Sequence, residues 1–214
     1  MRAVALREAQ ALATLLQATT VALAIASVAW LGADYPLVTL RNGTVHLNAA
    51  EAGLIFSAMA VLYSLVYKRL SRVRRWRRNL VHAGGGLATS WVGTLLLVLS
   101  KQVFALAAAA GQDVDERRCF AVVVGLLLLW RANLMPKSRP GWFNGVALPV
   151  FAPDALRWRI VHRYAAIRLV IIGLVGITLA FSTTPGTDVV NIFVALLIAE
   201  LVIANGHALL LGER

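Results

Sequence analysis

Residues 11–31 read ALATLLQATTVALAIASVAWL, 21 residues without a charged side chain. A helix rises about 1.5 Å per residue and a bilayer's hydrocarbon core is about 30 Å thick, so about 20 apolar residues cross it. The stretch meets that length. It also exceeds the apolar core of a secretory leader, so it reads as a retained span rather than a cleaved signal, despite Arg2 and Arg7 ahead of it and Ala24 and Ala26 near its end. Working outward, comparable runs occupy about 49–67, 84–109, 119–135, 164–181 and 189–211. Six such spans use up most of the 214 residues. The expected fold is therefore all-α: one polytopic transmembrane domain over residues 1–214, with six helices and little room for a separate soluble module.

Composition agrees with that reading. Hydrophobic residues make up 59% of the chain and charged ones 14%, where a soluble domain is about half apolar and a quarter charged. The net charge of +11 comes from 21 Lys and Arg against 10 Asp and Glu. A nucleic-acid binder spreads such charge over a polar surface. Here twelve of the 21 basic residues fall in two loops instead: Lys68, Arg69, Arg72, Arg74, Arg75, Arg77 and Arg78 between spans two and three, and Lys137, Arg139, Arg157, Arg159 and Arg163 between spans four and five. The opposite connections carry Arg41, Arg117 and Arg118 among Asp34, Asp113, Asp115, Glu116 and Asp188. Lys and Arg accumulate on the cytoplasmic side, which places both termini inside, as an even number of spans requires. No direct nucleic-acid contact is expected. The lone Cys119 excludes an intrachain disulfide and a Cys-based zinc site, and the four histidines lie far apart, so no metal, cofactor or catalytic residue is assigned.

Some polar residues ask for more than topology. In Lys68–Leu80, the apolar Leu70, Val73, Trp76 and Leu80 recur at helical spacing among seven cations, as in a helix lying among anionic lipid headgroups or docking an acidic partner. Pro153 and Asp154 can open a short helix, with Leu156, Ile160 and Tyr164 on one face and Arg159, His162 and Arg163 on another, the latter suited to a phosphate or carboxylate. Charges at bilayer depth are functional candidates. Lys101 lies about 12 Å and Glu200 about 17 Å from the outer ends of their helices, close enough for a lysine stem to bridge, with His207 on the Glu200 stripe. The expectation is that Lys101 and Glu200 face each other, as a structural pair or as part of a polar path. Arg131 and Arg168 read as residues near helix ends that reach toward the headgroups.

The most distinctive segment is 133–163, NLMPKSRPGWFNGVALPVFAPDALRWRIVHR, which holds four of the six prolines. Pro136 ends a helix, Asn144-Gly145 is a turn signal, and the prolines stiffen a connection too long to be a simple loop. It resembles the signature of the SdpI family of bacterial membrane proteins, N-x-M-P-K-x-K/R-P-N-x-F-x-G-I-R-T-P-W followed by W-x-x-x-H-R. Asn133, Met135, Pro136, Lys137, Arg139, Pro140, Phe143, Gly145, Pro149, Trp158, His162 and Arg163 match in residue and spacing. Gly141, Ala147, Leu148 and Val150 depart from it. The resemblance implies a multi-pass protein of the bacterial cytoplasmic membrane that protects its cell from a membrane-acting peptide toxin. It also implies signalling, by recruitment of a cytosolic repressor. These residues, with Arg159, are then candidates for ligand or partner binding.

Two other readings follow from the residues alone. A small transporter or proton-coupled carrier would use Lys101, Glu200 and His207. An integral-membrane enzyme would build its site around His162 with Arg159, Arg163, Lys137 and Asp154.

Overall fold

In hydrocarbon no water competes for backbone groups, so an apolar run satisfies its N–H and C=O groups by coiling into a helix. A computed structural model of the chain describes residues 2–40, 45–72, 86–137, 154–182 and 186–211. Its helices are α1 (Arg2–Leu31), α2 (Ala49–Arg72), α3 (Gly86–Ala109), α4 (Glu116–Leu134), α5 (Ala155–Ala180) and α6 (Gly186–Leu210). All six are long and apolar enough to cross a membrane, as the sequence led us to expect of a multi-pass protein.

Several boundaries differ from those read in the sequence. The first apolar run begins at residue 11, but α1 starts at Arg2; α2 runs on to Arg72, and α4 begins at Glu116 rather than at Cys119. Charged residues are kept out of hydrocarbon but are good helix formers, so the helices continue past the apolar runs. The largest correction concerns the fifth span. The short helix expected after Pro153 and the span expected from Tyr164 are one continuous helix of 26 residues. Asp154 caps it, its carboxylate accepting from the Leu156 N–H at 3.0 Å and the Arg157 N–H at 2.8 Å.

One element was not anticipated. Strands β1 (Pro36–Leu40) and β2 (Val45–Asn48) pair antiparallel between α1 and α2, with Val38 opposite Leu47 and Leu40 opposite Val45. The hairpin leads directly into α2 through a reciprocal cap: the Glu51 N–H donates to Asn48 Oδ1 at 2.8 Å and the Asn48 N–H donates to Glu51 Oε2 at 3.0 Å. Leu37 is buried with Ala49, Ala52 and Ala105, which seats the hairpin on α2 and α3. We call this the hairpin end of the bundle and the opposite one, where α2 finishes and α5 starts, the basic end. Gly32 and Gly111, at φ +89° and +77°, follow α1 and α3 at the hairpin end in a backbone conformation that favours glycine.

The helices pack as two triplets. Helices α1, α2 and α3 contact one another, α4, α5 and α6 contact one another, and α3 against α4 joins the two sets. The first triplet closes around Leu16, Tyr67, Trp91 and Leu95, and the second around Ala165, Leu169, Ile172 and Phe193. Gln102 is fully buried in the first. Its amide nitrogen faces the Thr20 carbonyl at 3.1 Å and its oxygen the Ala24 N–H at 2.8 Å, so α3 is hydrogen-bonded to the middle of α1. The second triplet relies on close approach. A Cβ at Gly125 would lie 2.8 Å from the Gly173 carbonyl oxygen, and one at Gly176 would lie 1.7 Å from the Phe193 ring.

That last contact predicts a position-specific cost. Gly176→Ala should destabilise the protein by about 1–3 kcal/mol through overpacking, whereas Gly206→Ala, where an added Cβ meets nothing within 4 Å, should change little. Thermal unfolding in detergent measures both, and Phe193→Leu combined with Gly176→Ala should recover part of the loss.

Candidate functional site

The deepest polar feature joins α5 and α6. Arg168 and Glu200 form a two-pronged ion pair, Nε to Oε2 at 2.5 Å and the second guanidinium nitrogen to Oε1 at 3.1 Å. At about 1.5 Å per residue, Arg168 lies about 20 Å from the start of α5 and Glu200 about 21 Å from the start of α6, so the pair sits near mid-bilayer. Glu200 has 2% of its side chain exposed and Arg168 28%. A fork-to-carboxylate geometry of this kind satisfies both charges where water is scarce.

The expected pairing of Lys101 with Glu200 is therefore wrong. Helix α6 packs on α4 and α5, whereas α3 packs on α1, α2 and α4. Lys101 instead pairs with Glu116, the first residue of α4. A span counted from Tyr164 puts Arg168 near a helix end, but α5 starts nine residues earlier, which places Arg168 in its middle. His207 meets the edge of the Tyr164 ring at 5.4 Å, near the basic end. The three intramembrane polar residues Lys101, Glu200 and His207 are thus held in three separate places by three different partners.

At the hairpin end, the Lys101–Glu116 pair lines an open pocket of about 510 Å³ together with Tyr35, Leu37, Asp115 and Arg117. Asp115 caps α4, accepting from the Arg117 N–H at 3.0 Å and the Arg118 N–H at 3.2 Å. The Arg118 guanidinium pairs with Asp115 at 3.0 Å and also donates to the Ser182 carbonyl at 2.7 Å, tying the start of α4 to the end of α5.

At the basic end, the two described parts of the 133–163 segment come together. After α4 a single 3-10 turn, Met135–Lys137, packs against α5, as Pro136 cannot donate to a continuing α-helical ladder. Met135 is buried in the same cluster as Ala165, Ala166 and Leu169, while Asn133 and Lys137 are exposed. Arg139, Pro140, Phe143, Gly145 and Pro149 lie outside the described residues, as do residues 73–80 of the basic amphipathic segment.

The helical wheel drawn for residues 156–164 is corrected as well. Trp158, Val161 and His162 point into the bundle, whereas Leu156 and Tyr164, from the face opposite the expected Arg159, His162 and Arg163 face, are 66% and 52% exposed. Arg159 and Arg163 are exposed, but His162 does not join them. Its ring stacks on Trp158 with centroids 4.0 Å apart, and its Nδ1–H donates to the Trp158 carbonyl at 2.8 Å. Nε2 is then a buried acceptor, with no partner among the described residues. An anion cradle of His162, Arg159 and Arg163 is not formed. Asp154 is occupied with its own helix start and with the Arg157 guanidinium at 3.1 Å, so it does not converge on His162 either.

Sequence reading missed Arg131 as a site. It reaches from α4 across the triplet junction to donate to Ser90 Oγ on α3 and lies within electrostatic reach of Tyr63 and His162. Trp91, next along α3, stacks on Tyr67 at 3.9 Å and donates to Ser64 at 3.3 Å. The available signal was the position of Arg131 three residues before the end of a helix, which by itself does not show which way the side chain turns. Against this geometry, no protein-family model, curated protein or solved structure matches the chain.

Two predictions follow from these contacts. Glu200→Gln leaves Arg168 without its counter-ion and should cost about 3–5 kcal/mol in unfolding experiments. Replacing both partners by leucine should recover most of that loss, and a single variant as stable as the parent would show that the pair carries no weight. The second concerns acid. The Arg157 backbone N–H, helped by that of Leu156 and by the Arg157 guanidinium, holds the Asp154 carboxyl below its ordinary value of 3.8. A depressed pKa means that the folded state prefers the carboxylate. The cap thus stabilises α5 fully above the ordinary carboxylate range and loses that contribution as pH falls through the lowered value. Asp154→Asn keeps a capping oxygen but removes the charge, so its melting temperature should fall less than the parent's between pH ~5 and ~2.

Proposed function

We propose that the chain is an SdpI-like immunity protein of the bacterial cytoplasmic membrane, protecting its cell from a membrane-acting peptide toxin. The observation that carries this reading is the 133–163 segment. Its matched residues include three that the bundle buries, Met135, Trp158 and His162, so those three positions of the signature carry packing as well as spacing.

Charge supports an orientation with both termini cytoplasmic. The exposed cations Lys68, Arg69, Arg72, Lys137, Arg159 and Arg163 all lie at the basic end, where they face anionic headgroups or an acidic cytosolic partner such as a recruited repressor. The hairpin end then faces outward, and its pocket beside Lys101 and Glu116 is the place where an arriving peptide is met. A carrier would need Lys101, Glu200 and His207 on one path, and an enzyme would need His162 beside Asp154. Neither arrangement is supported by the contacts those residues make.

Expression in a toxin-sensitive strain, challenged with each short secreted peptide encoded beside the gene, tests the reading. Survival is expected with the parent protein, and it should be lost in Pro136→Leu at equal membrane abundance. Unchanged killing by every such peptide would sink the immunity reading.

A further inference from the structure

Where the two triplets meet, α3 and α4 leave a groove of about 300 Å³. Its walls are almost wholly apolar, Gly93 and Leu97 on α3 and Leu127 and Leu128 on α4, but Arg131, Ser90 and Trp130 stand at its basic end. From Arg131 to Val124 the groove follows α4 for about 10 Å toward the bilayer centre. One cation at headgroup depth with an apolar slot leading inward is the shape of an amphiphile with an anionic head.

The chain itself offers Arg131 almost no counter-ion. Of the ten carboxylate residues, Asp34, Glu51, Asp113, Asp115, Glu116 and Asp188 lie at the hairpin end. Glu200 is held by Arg168 and Asp154 by Arg157, and Glu8 is exposed on α1. Glu213 lies outside the described residues. Among the described residues Arg131 forms no ion pair, and its guanidinium donates to the neutral Ser90 hydroxyl. A partly buried guanidinium without an anion is unfavourable, so an anion from outside the chain is called for. Trp130, 38% exposed beside it, is of the residue type that settles at the headgroup level.

We propose that the α3–α4 groove binds one anionic phospholipid, its phosphodiester on Arg131 and one acyl chain along Gly93, Leu97, Leu127 and Leu128. The site is independent of the immunity reading, because it rests on Arg131 and the groove and not on the 133–163 signature.

The test uses the full chain, purified in non-ionic detergent and stripped of lipid, with native mass spectrometry after addition of phosphatidylglycerol or phosphatidylcholine with identical acyl chains. One phosphatidylglycerol should be retained about tenfold more tightly than phosphatidylcholine. Arg131→Gln should erase that preference, whereas Arg157→Gln, at the same end but already paired with Asp154, should keep it. Should Arg131→Gln fail to fold, Gly93→Leu serves. A Cβ there sits at an ordinary 3.5 Å from Leu127, so the side chain fills the slot without a backbone clash and should weaken retention of phosphatidylglycerol. Equal retention of the two lipids would overturn the proposal, as would retention unaffected by both Arg131→Gln and Gly93→Leu. Displacement of the lipid by millimolar inorganic phosphate would also overturn it, since the head alone would then be the ligand.

Discussion

Arg168 and Glu200 meet near the middle of two of the longest helices, about 15–21 Å from their ends, where neither charge has bulk water to fall back on. An isolated charge at that depth is unfavourable, so each residue makes the other tolerable, and the two helices must keep the register that lets them meet. A rotation or slide of α6 on α5 by a single residue would separate the fork from its carboxylate. The packing of the second triplet serves that requirement. Gly176 admits the Phe193 ring between α5 and α6, and Gly125 and Gly173 bring α4 and α5 into near-backbone contact, sealing the side of α5 away from lipid. Small residues make the approach close, and the ion pair makes only one such approach favourable.

The first triplet solves the same problem with neutral groups. Gln102 hydrogen-bonds the backbone of α1, Trp91 hydrogen-bonds Ser64 on α2, and the Thr20 and Ser27 hydroxyls return to carbonyls within α1 at 2.8 Å. Neutral hydrogen bonds of this kind stabilise modestly and tolerate rearrangement better than a buried charge does. The two halves thus differ in how tightly their polar contacts specify geometry. They are joined along α3 and α4, where polar Ser90 and Arg131 touch at one end and Lys101 and Glu116 at the other, with apolar surface between.

Six spans were legible because hydrocarbon thickness sets the length of an apolar run, and runs such as 11–31 meet it without ambiguity. The ends of the helices were not, because the property that limits a span is hydropathy and the property that limits a helix is hydrogen bonding and capping. Starting α5 at Tyr164 followed the first rule; Asp154 as N-cap followed the second, and the shift moved Arg168 from a helix end to mid-bilayer. The hairpin carries a readable signal as well, Asn42-Gly43 between the strand-favouring runs Leu37–Leu40 and Val45–Leu47, but the signal is short beside the long apolar runs that flank it. Partner choice was beyond the sequence. Lys101 lies at a depth between those of Glu116 and Glu200, and only the packing order of the helices decides between them.

Charge sorting also divides the chain chemically. At the hairpin end cations find carboxylates within the chain: Lys101 has Glu116, and Arg118 has Asp115 together with the last carbonyls of α5. At the basic end Asp154 serves Arg157, and few other carboxylates lie within reach of the remaining cations. Exposed cations such as Arg159 can be screened by water and salt, so their surplus is tolerable. Arg131 cannot, because it is drawn between two helices and faces an apolar slot. The uneven sorting of charge therefore leaves this end in need of anions from outside the chain, and on our proposal the need is greatest at Arg131, which the bundle partly encloses without giving it a carboxylate.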